Sequence, residues 1–153
     1  MRLVTFLRQP SRRKRLVVEA VTGLVKAWWL VRFRPFREYA GRLGAAHPGE
    51  FHGAAPGDLA VLRDVRWAID AVNRSAGGRF TCLMQGMAGK AMLDRRNAEN
   101  TLVLGAKLGG RDPAADEGMA AHAWLRVGPV IVLGGDARAG FAPITSYHSP
   151  GGR

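Results

Sequence analysis

The chain has one cysteine, Cys82, in 153 residues. A single cysteine excludes an internal disulfide and a Cys-rich zinc site, and it fits a reducing compartment, so a cytoplasmic location is expected. Acidic residues are also scarce: 12 Asp/Glu stand against 23 Lys/Arg, a net charge of +11. The imbalance is local. Residues 1–43 hold eleven Lys/Arg against Glu19 and Glu38 alone, which accounts for +9 of the total. Such a surplus points to an acidic partner or surface. No apolar run is long enough to cross a bilayer, because Leu16–Val31 is broken by Glu19 and Lys26 and falls short of the ~20 residues required. The basic start is not followed by a compact apolar segment with a small-residue cleavage site, so no signal peptide is expected. His47, His52, His122 and His148 are scattered without metal-ligand spacing, and no metal or other cofactor is expected.

What the chain does have is apolar material, 47% of its residues, enough for a core. Its length fits one domain or a small domain with an appendage. Ser11 reads as the N-cap of a first helix that opens on Arg12–Arg15, an arrangement that opposes the helix dipole. Val17, Ala20, Val21, Leu24, Val25 and Trp28 recur at 3/4 spacing and make one apolar face, which Trp29, Leu30 and Val31 widen. Trp28 and Trp29 are expected to be buried. Pro35 stops or kinks this helix, Phe36–Leu43 adds one or two turns, and Gly44 caps them.

Residues 44–57, rich in Gly, Ala, Pro and His, read as a linker. Asp58 then caps a second, nearly all-apolar helix that carries Leu59, Leu62, Trp67, Ile69 and Val72 and is expected to be mostly buried. After the loop 73–79, a third helix runs from Thr81 to about Arg96. Thr101–Leu108, Ala121–Val127 and Val130–Leu133 read as strands, the last two joined in a hairpin at Gly128-Pro129. Residues 109–119 read as a polar turn, and Phe141–Tyr147 as an added edge strand. The plan is α+β: helices first, then a small antiparallel sheet.

Two residues carry possible chemistry. Cys82 falls in the first turn of its helix, where unpaired N–H groups and the positive dipole end stabilise a negatively charged sulfur. On these grounds it is either a small core residue or a reactive thiol. His122, between Ala121 and Ala123 on a strand, projects to the face opposite those two and is either a structural histidine or a general base. A third group should orient the imidazole. Asp136, just past the strand paired with that of His122, is the candidate, ahead of Asp112, Asp116 and Glu117. The basic N-terminal stretch lacks any nucleic-acid-binding motif.

Five stretches occur in a telling order: Phe80-Thr81-Cys82-Leu83, Ala91-Met92-Leu93-Asp94-Arg95-Arg96, Leu102-Val103-Leu104-Gly105-Ala106, Ala121-His122-Ala123-Trp124-Leu125 and Val132-Leu133-Gly134-Gly135. Their succession resembles the stand-alone, transglutaminase-like leader peptidases of lasso-peptide biosynthesis over about residues 58–147. The resemblance implies a papain/transglutaminase-like cysteine peptidase domain at 58–153, preceded by a basic helical segment and linker at 1–57. It implies Cys82 as nucleophile, His122 as base and Asp136 as third member, although the family's Asp often falls nearer the position of Gly134. Arg12, Arg13, Arg15 and Trp124 are candidates for substrate or partner contact. The implied substrate is a ribosomally made precursor peptide, delivered by a small leader-binding protein. The freed core amine would then pass to an ATP-dependent lasso cyclase. Two other readings stay open: acyl transfer to an amine, and a non-catalytic basic module that binds an acidic partner.

Overall fold

Each long helix starts where a short polar side chain can accept from the exposed N–H groups, with one exception. In the computed structural model, which describes residues 10–108 and 119–152, Asp58 accepts from the Ala60 N–H at 2.7 Å. Thr81 accepts from the Met84 N–H at 3.4 Å. These caps open α3 (Leu59–Ser75) and α4 (Cys82–Asp94). The exception is α1 (Ser11–Phe33), where Pro10 occupies the cap position and Ser11 is already helical. Its basic first turn is stabilised instead from outside, by the Arg12–Asp64 ion pair at 2.5 Å and by Arg13 over the Trp67 ring at 5.0 Å. A short α2 (Phe36–Tyr39) and a 3-10 turn (Ala40–Leu43) follow, ending at Gly44 as expected.

The sheet has five antiparallel strands: β1 (Ala45–Pro48), β2 (Asn100–Leu108), β3 (Met119–Val127), β4 (Val130–Leu133) and β5 (Ala142–Ser149). They lie in the order β1-β5-β2-β3-β4. The expected linker therefore contains an edge strand, paired in the register Ala45↔His148 to Pro48↔Thr145. Because β1 closes that side, β5 is an interior strand and not the edge anticipated from the sequence. The polar turn expected at 109–119, with Asp112, Asp116 and Glu117, lies outside the described residues apart from Met119 at the start of β3.

Helix α4 is the centre of the molecule. It packs against α1 and α3 on one side and against β2, β3 and β4 on the other. Met84, Met87, Ala88, Met92 and Leu93 are buried with Leu24, Val65, Ile69, Leu102 and Leu125 in one cluster. That cluster takes residues from both sides of position 57, so the N-terminal helix shares its core with the rest of the chain. The close approach of α1 and α4 uses small residues: a Cβ on Gly23 would stand 3.2 Å from the Ala88 Cβ. This decides which face of α1 goes inside. Leu16, Val17, Ala20, Gly23, Leu24 and Ala27 are buried, whereas Val21, Val25, Trp28 and Trp29 face outward, against the sequence expectation. Helix α3 is likewise one-sided rather than mostly buried, with Leu59 exposed.

The other side of the sheet is covered by residues 49–57. Phe51 N–H donates to Ser146 Oγ at 3.1 Å, and Ala54 N–H donates to Glu99 Oε1 at 2.8 Å. Beneath them Val103, Trp124, Arg126 and Ser146 are buried.

Candidate active site

Local hydrogen bonds fix where Cys82 sits. Phe80 N–H donates to Asn73 Oδ1 at 3.1 Å, tying the loop back to α3. The Gln85 amide donates to the Phe80 carbonyl at 2.8 Å, and Gln85 N–H closes the first turn on the Thr81 carbonyl at 3.0 Å. Cys82 is thus the first residue of α4, free as a thiol and half-buried. Its own N–H belongs to the first helical turn, where no intrahelical acceptor exists.

His122 comes from β3, at a place where the neighbouring strand has run out. The β3–β4 ladder ends at Leu125↔Leu133, and the chain turns away at Gly134 with φ of +76°. A Cβ there would stand 2.5 Å from the Ala123 carbonyl oxygen, so the turn requires glycine. That turn aims the Gly134 carbonyl at the imidazole, 2.7 Å from His122 Nε2. A carbonyl oxygen only accepts, so Nε2 carries the hydrogen and, in the neutral ring, Nδ1 is the basic nitrogen. The ring is held between Trp124, at 6.0 Å and 28°, and Phe141, at 5.2 Å and 44°.

Behind His122 lies a partly buried polar network. The Trp124 indole donates to Glu50 Oε1 at 2.9 Å, Arg126 pairs with the same oxygen, and Arg138 approaches it at 3.5 Å. Burial alone would raise the pKa of Glu50. The hydrogen bonds from Trp124 and Arg126 and the two guanidinium charges outweigh it, leaving the carboxyl below its ordinary range. A Cβ on Gly105 would stand 2.6 Å from the Trp124 ring, so β2 must carry glycine opposite His122 to seat the indole.

Cys82 and His122 line one cavity of about 250 Å³, together with Gln85, Asp136, Arg66 and Asp70. The structure therefore brings the sequence candidates Cys82, His122 and Asp136 to one place. Within it, the hydrogen bond that orients His122 runs to the Gly134 backbone, while Asp136 is exposed on the cavity wall. Trp124 is only 1% exposed and supports the histidine from below, so it is not a surface for a partner. Arg12 and Arg13 are engaged with α3, and Arg15 is exposed. Sequence reasoning missed Gln85, Arg66, Asp70 and Glu50. Gln85 was within reach, three residues after the cysteine on the same helix. The other three depend on which elements meet, and no local pattern marks them. Among the described residues no group of His, Cys, Asp and Glu is placed to hold a metal ion.

The fold is a helix-and-sheet α+β plan of the transglutaminase-like kind, with a cysteine opening the central helix. Residues 23–146 match the family model described as the transglutaminase-like superfamily, and the chain belongs to that superfamily. Its members include cysteine proteases and acyl transferases. Comparison with curated proteins and with solved structures returned no match.

Proposed function

We propose that this protein is a cysteine endopeptidase that removes the leader from a lasso-peptide precursor and frees the core N-terminus for macrocyclisation. The observation that carries the reading is the shared cavity, in which Cys82 and His122 stand together with the His122 tautomer set by Gly134. In this reading His122 Nδ1 takes the thiol proton, and Cys82 Sγ attacks the scissile carbonyl. The Cys82 N–H and the second Gln85 amide hydrogen stabilise the resulting oxyanion. The C–N bond breaks as His122 returns its proton to the departing core amine. Water, deprotonated by His122, then hydrolyses the leader thioester and restores the thiol. The ordered set of sequence stretches supports the leader-peptide substrate, and the basic N-terminal segment supports an acidic delivery partner.

The test is to incubate precursor peptide and leader-binding protein with the enzyme and with Cys82→Ala. The expected outcome is two fragments whose masses sum to precursor plus water, formed by the native protein alone. Unchanged cleavage by Cys82→Ala would sink the reading. A joined species instead of two fragments would replace it with acyl transfer.

A further inference from the structure

Large apolar side chains on the surface of this protein are concentrated on one helix. Of the eight that are exposed among the described residues, six lie on α1: Val18, Val21, Val25, Trp28, Trp29 and Phe33, each between 42% and 58% exposed. They occupy the face opposite Ala20, Leu24 and Ala27, which pack on α4. Val18, Val21, Val25 and Trp28 follow each other at spacings of three, four and three, the spacing of a seam that receives another helix. Contiguous apolar surface of this kind marks an interaction site.

The surrounding charge says what kind. Lys14 and Arg32 continue the same seam at its two ends, and Arg34 stands over the Trp29 ring at 5.5 Å. One residue along from Val21, Val25 and Trp29, the flank formed by Thr22, Lys26 and Leu30 lines a cavity of about 150 Å³. Arg42, Lys90 and Arg95 also reach that cavity, against Asp94 as its single acid. Positive charge set back in a cavity beside an apolar seam suits a carboxylate side chain that reaches in from an adjoining helix. A flat bilayer surface would not reach it. A second copy of this chain would bring like charge against like, since the first 43 residues carry +9.

We infer that the outer face of α1 docks an acidic amphipathic helix of a partner polypeptide, whose apolar stripe covers Val18, Val21, Val25 and Trp28 while its carboxylates face Lys26 and Arg42. The surface shares no lining residue with the Cys82 cavity, so docking there does not depend on the chemistry that cavity performs.

The probe is a synthetic labelled helical peptide with Leu at a and d positions and Glu on both flanks, titrated into the full chain and followed by anisotropy. Binding is expected with a blue shift of tryptophan emission. Val21→Asp combined with Val25→Asp should weaken it at least about tenfold. Arg63→Ala combined with Arg74→Ala on α3 lowers the net charge equally and should weaken it less than about threefold, the effect of general electrostatics alone. Circular dichroism identifies variants that keep the fold. Lys26→Glu with Arg42→Glu, which leaves the seam intact, should also abolish preference for the Glu peptide over its Lys counterpart. Weakening by Val21→Asp with Val25→Asp no greater than that by Arg63→Ala with Arg74→Ala would overturn the inference. So would seam-dependent binding to phosphatidylglycerol vesicles without peptide binding, or a concentration-dependent dimer that Val25→Asp dissolves.

Discussion

The two ends of α4 treat their polar groups in opposite ways. At the C-terminal end Lys90, Asp94, Arg95 and Arg96 each have a partner within the protein. Lys90, 2% exposed, donates to Asn100 Oδ1 and Ser149 Oγ, each at 2.8 Å. Asn100 in turn donates to Asp94 at 2.7 Å, and Arg96 bridges the Met92 carbonyl and both oxygens of Glu19. At the N-terminal end Cys82 and His122 line an open cavity, and the one hydrogen bond of the imidazole runs through Nε2 to the Gly134 carbonyl. Groups bound to one another hold the helix in place. Groups left facing a cavity are available to a substrate. One helix is thus anchored at its tail and exposed for chemistry at its head.

That comparison can be broken from either end. The largest effect is expected at the head: Cys82→Ala or His122→Ala should each lower precursor cleavage by about a thousandfold or more while thermal unfolding stays near that of the native protein. At the tail the pattern reverses. Asn100→Leu removes one of the two acceptors that the buried Lys90 ammonium holds at 2.8 Å and should cost about 2 kcal/mol in denaturant titration, with the kinetic constants of the folded fraction little changed.

Lys90 also gives the tail a signature in pH. Burial lowers its pKa to about 8 from the ordinary 10.5, with the Asp94 charge acting in the opposite direction. Between those values the unfolded chain binds the proton that the folded chain has lost, so this group makes stability rise with pH across the window. Lys90→Met should remove that rise, as read by unfolding at pH 7.5 and pH 10.

Smaller effects follow. Hydrogen bonding to Arg96 is the main cause of the lowered Glu19 pKa, opposed by burial and helped by Arg95. Stability from this pair is present above the ordinary carboxylate value of 4.5 and is lost as pH falls through the lower folded value. Glu19→Gln should cost about 1 kcal/mol at pH 7 and flatten the acid limb of the stability curve. Least affected of all should be Asp136→Asn, with cleavage within about threefold of the native rate, because the Gly134 carbonyl already supplies the orienting hydrogen bond. A loss of a hundredfold would move Asp136 into the catalytic set.

Much of the head of α4 was legible in the sequence because its signals are local. Thr81 before an apolar helix, and a histidine flanked by alanines on a strand, carry their own geometry. The strands β2 to β4 were readable for the same reason. What escaped depends on partners distant in sequence. Ala45–Pro48 has no strand character and becomes β1 by pairing with β5, which places β5 inside the sheet. Helix α1 offers two apolar faces, and the choice fell on the one with Ala20, Gly23 and Ala27, since small side chains let it approach α4. Size of side chain, not hydrophobicity, decided which tryptophans stayed outside. The partner of His122 was invisible for another reason: it is a backbone carbonyl, and residue type says nothing about where a carbonyl points.

The central claim is that Cys82 and His122 work as a pair. As the chain has one cysteine, iodoacetamide at neutral pH reports on Cys82 alone. Alkylation followed by intact mass should be about a hundredfold slower in folded His122→Ala than in the native protein, and close to the native rate in Asp136→Asn. Equal rates in the native protein and His122→Ala would contradict the pairing.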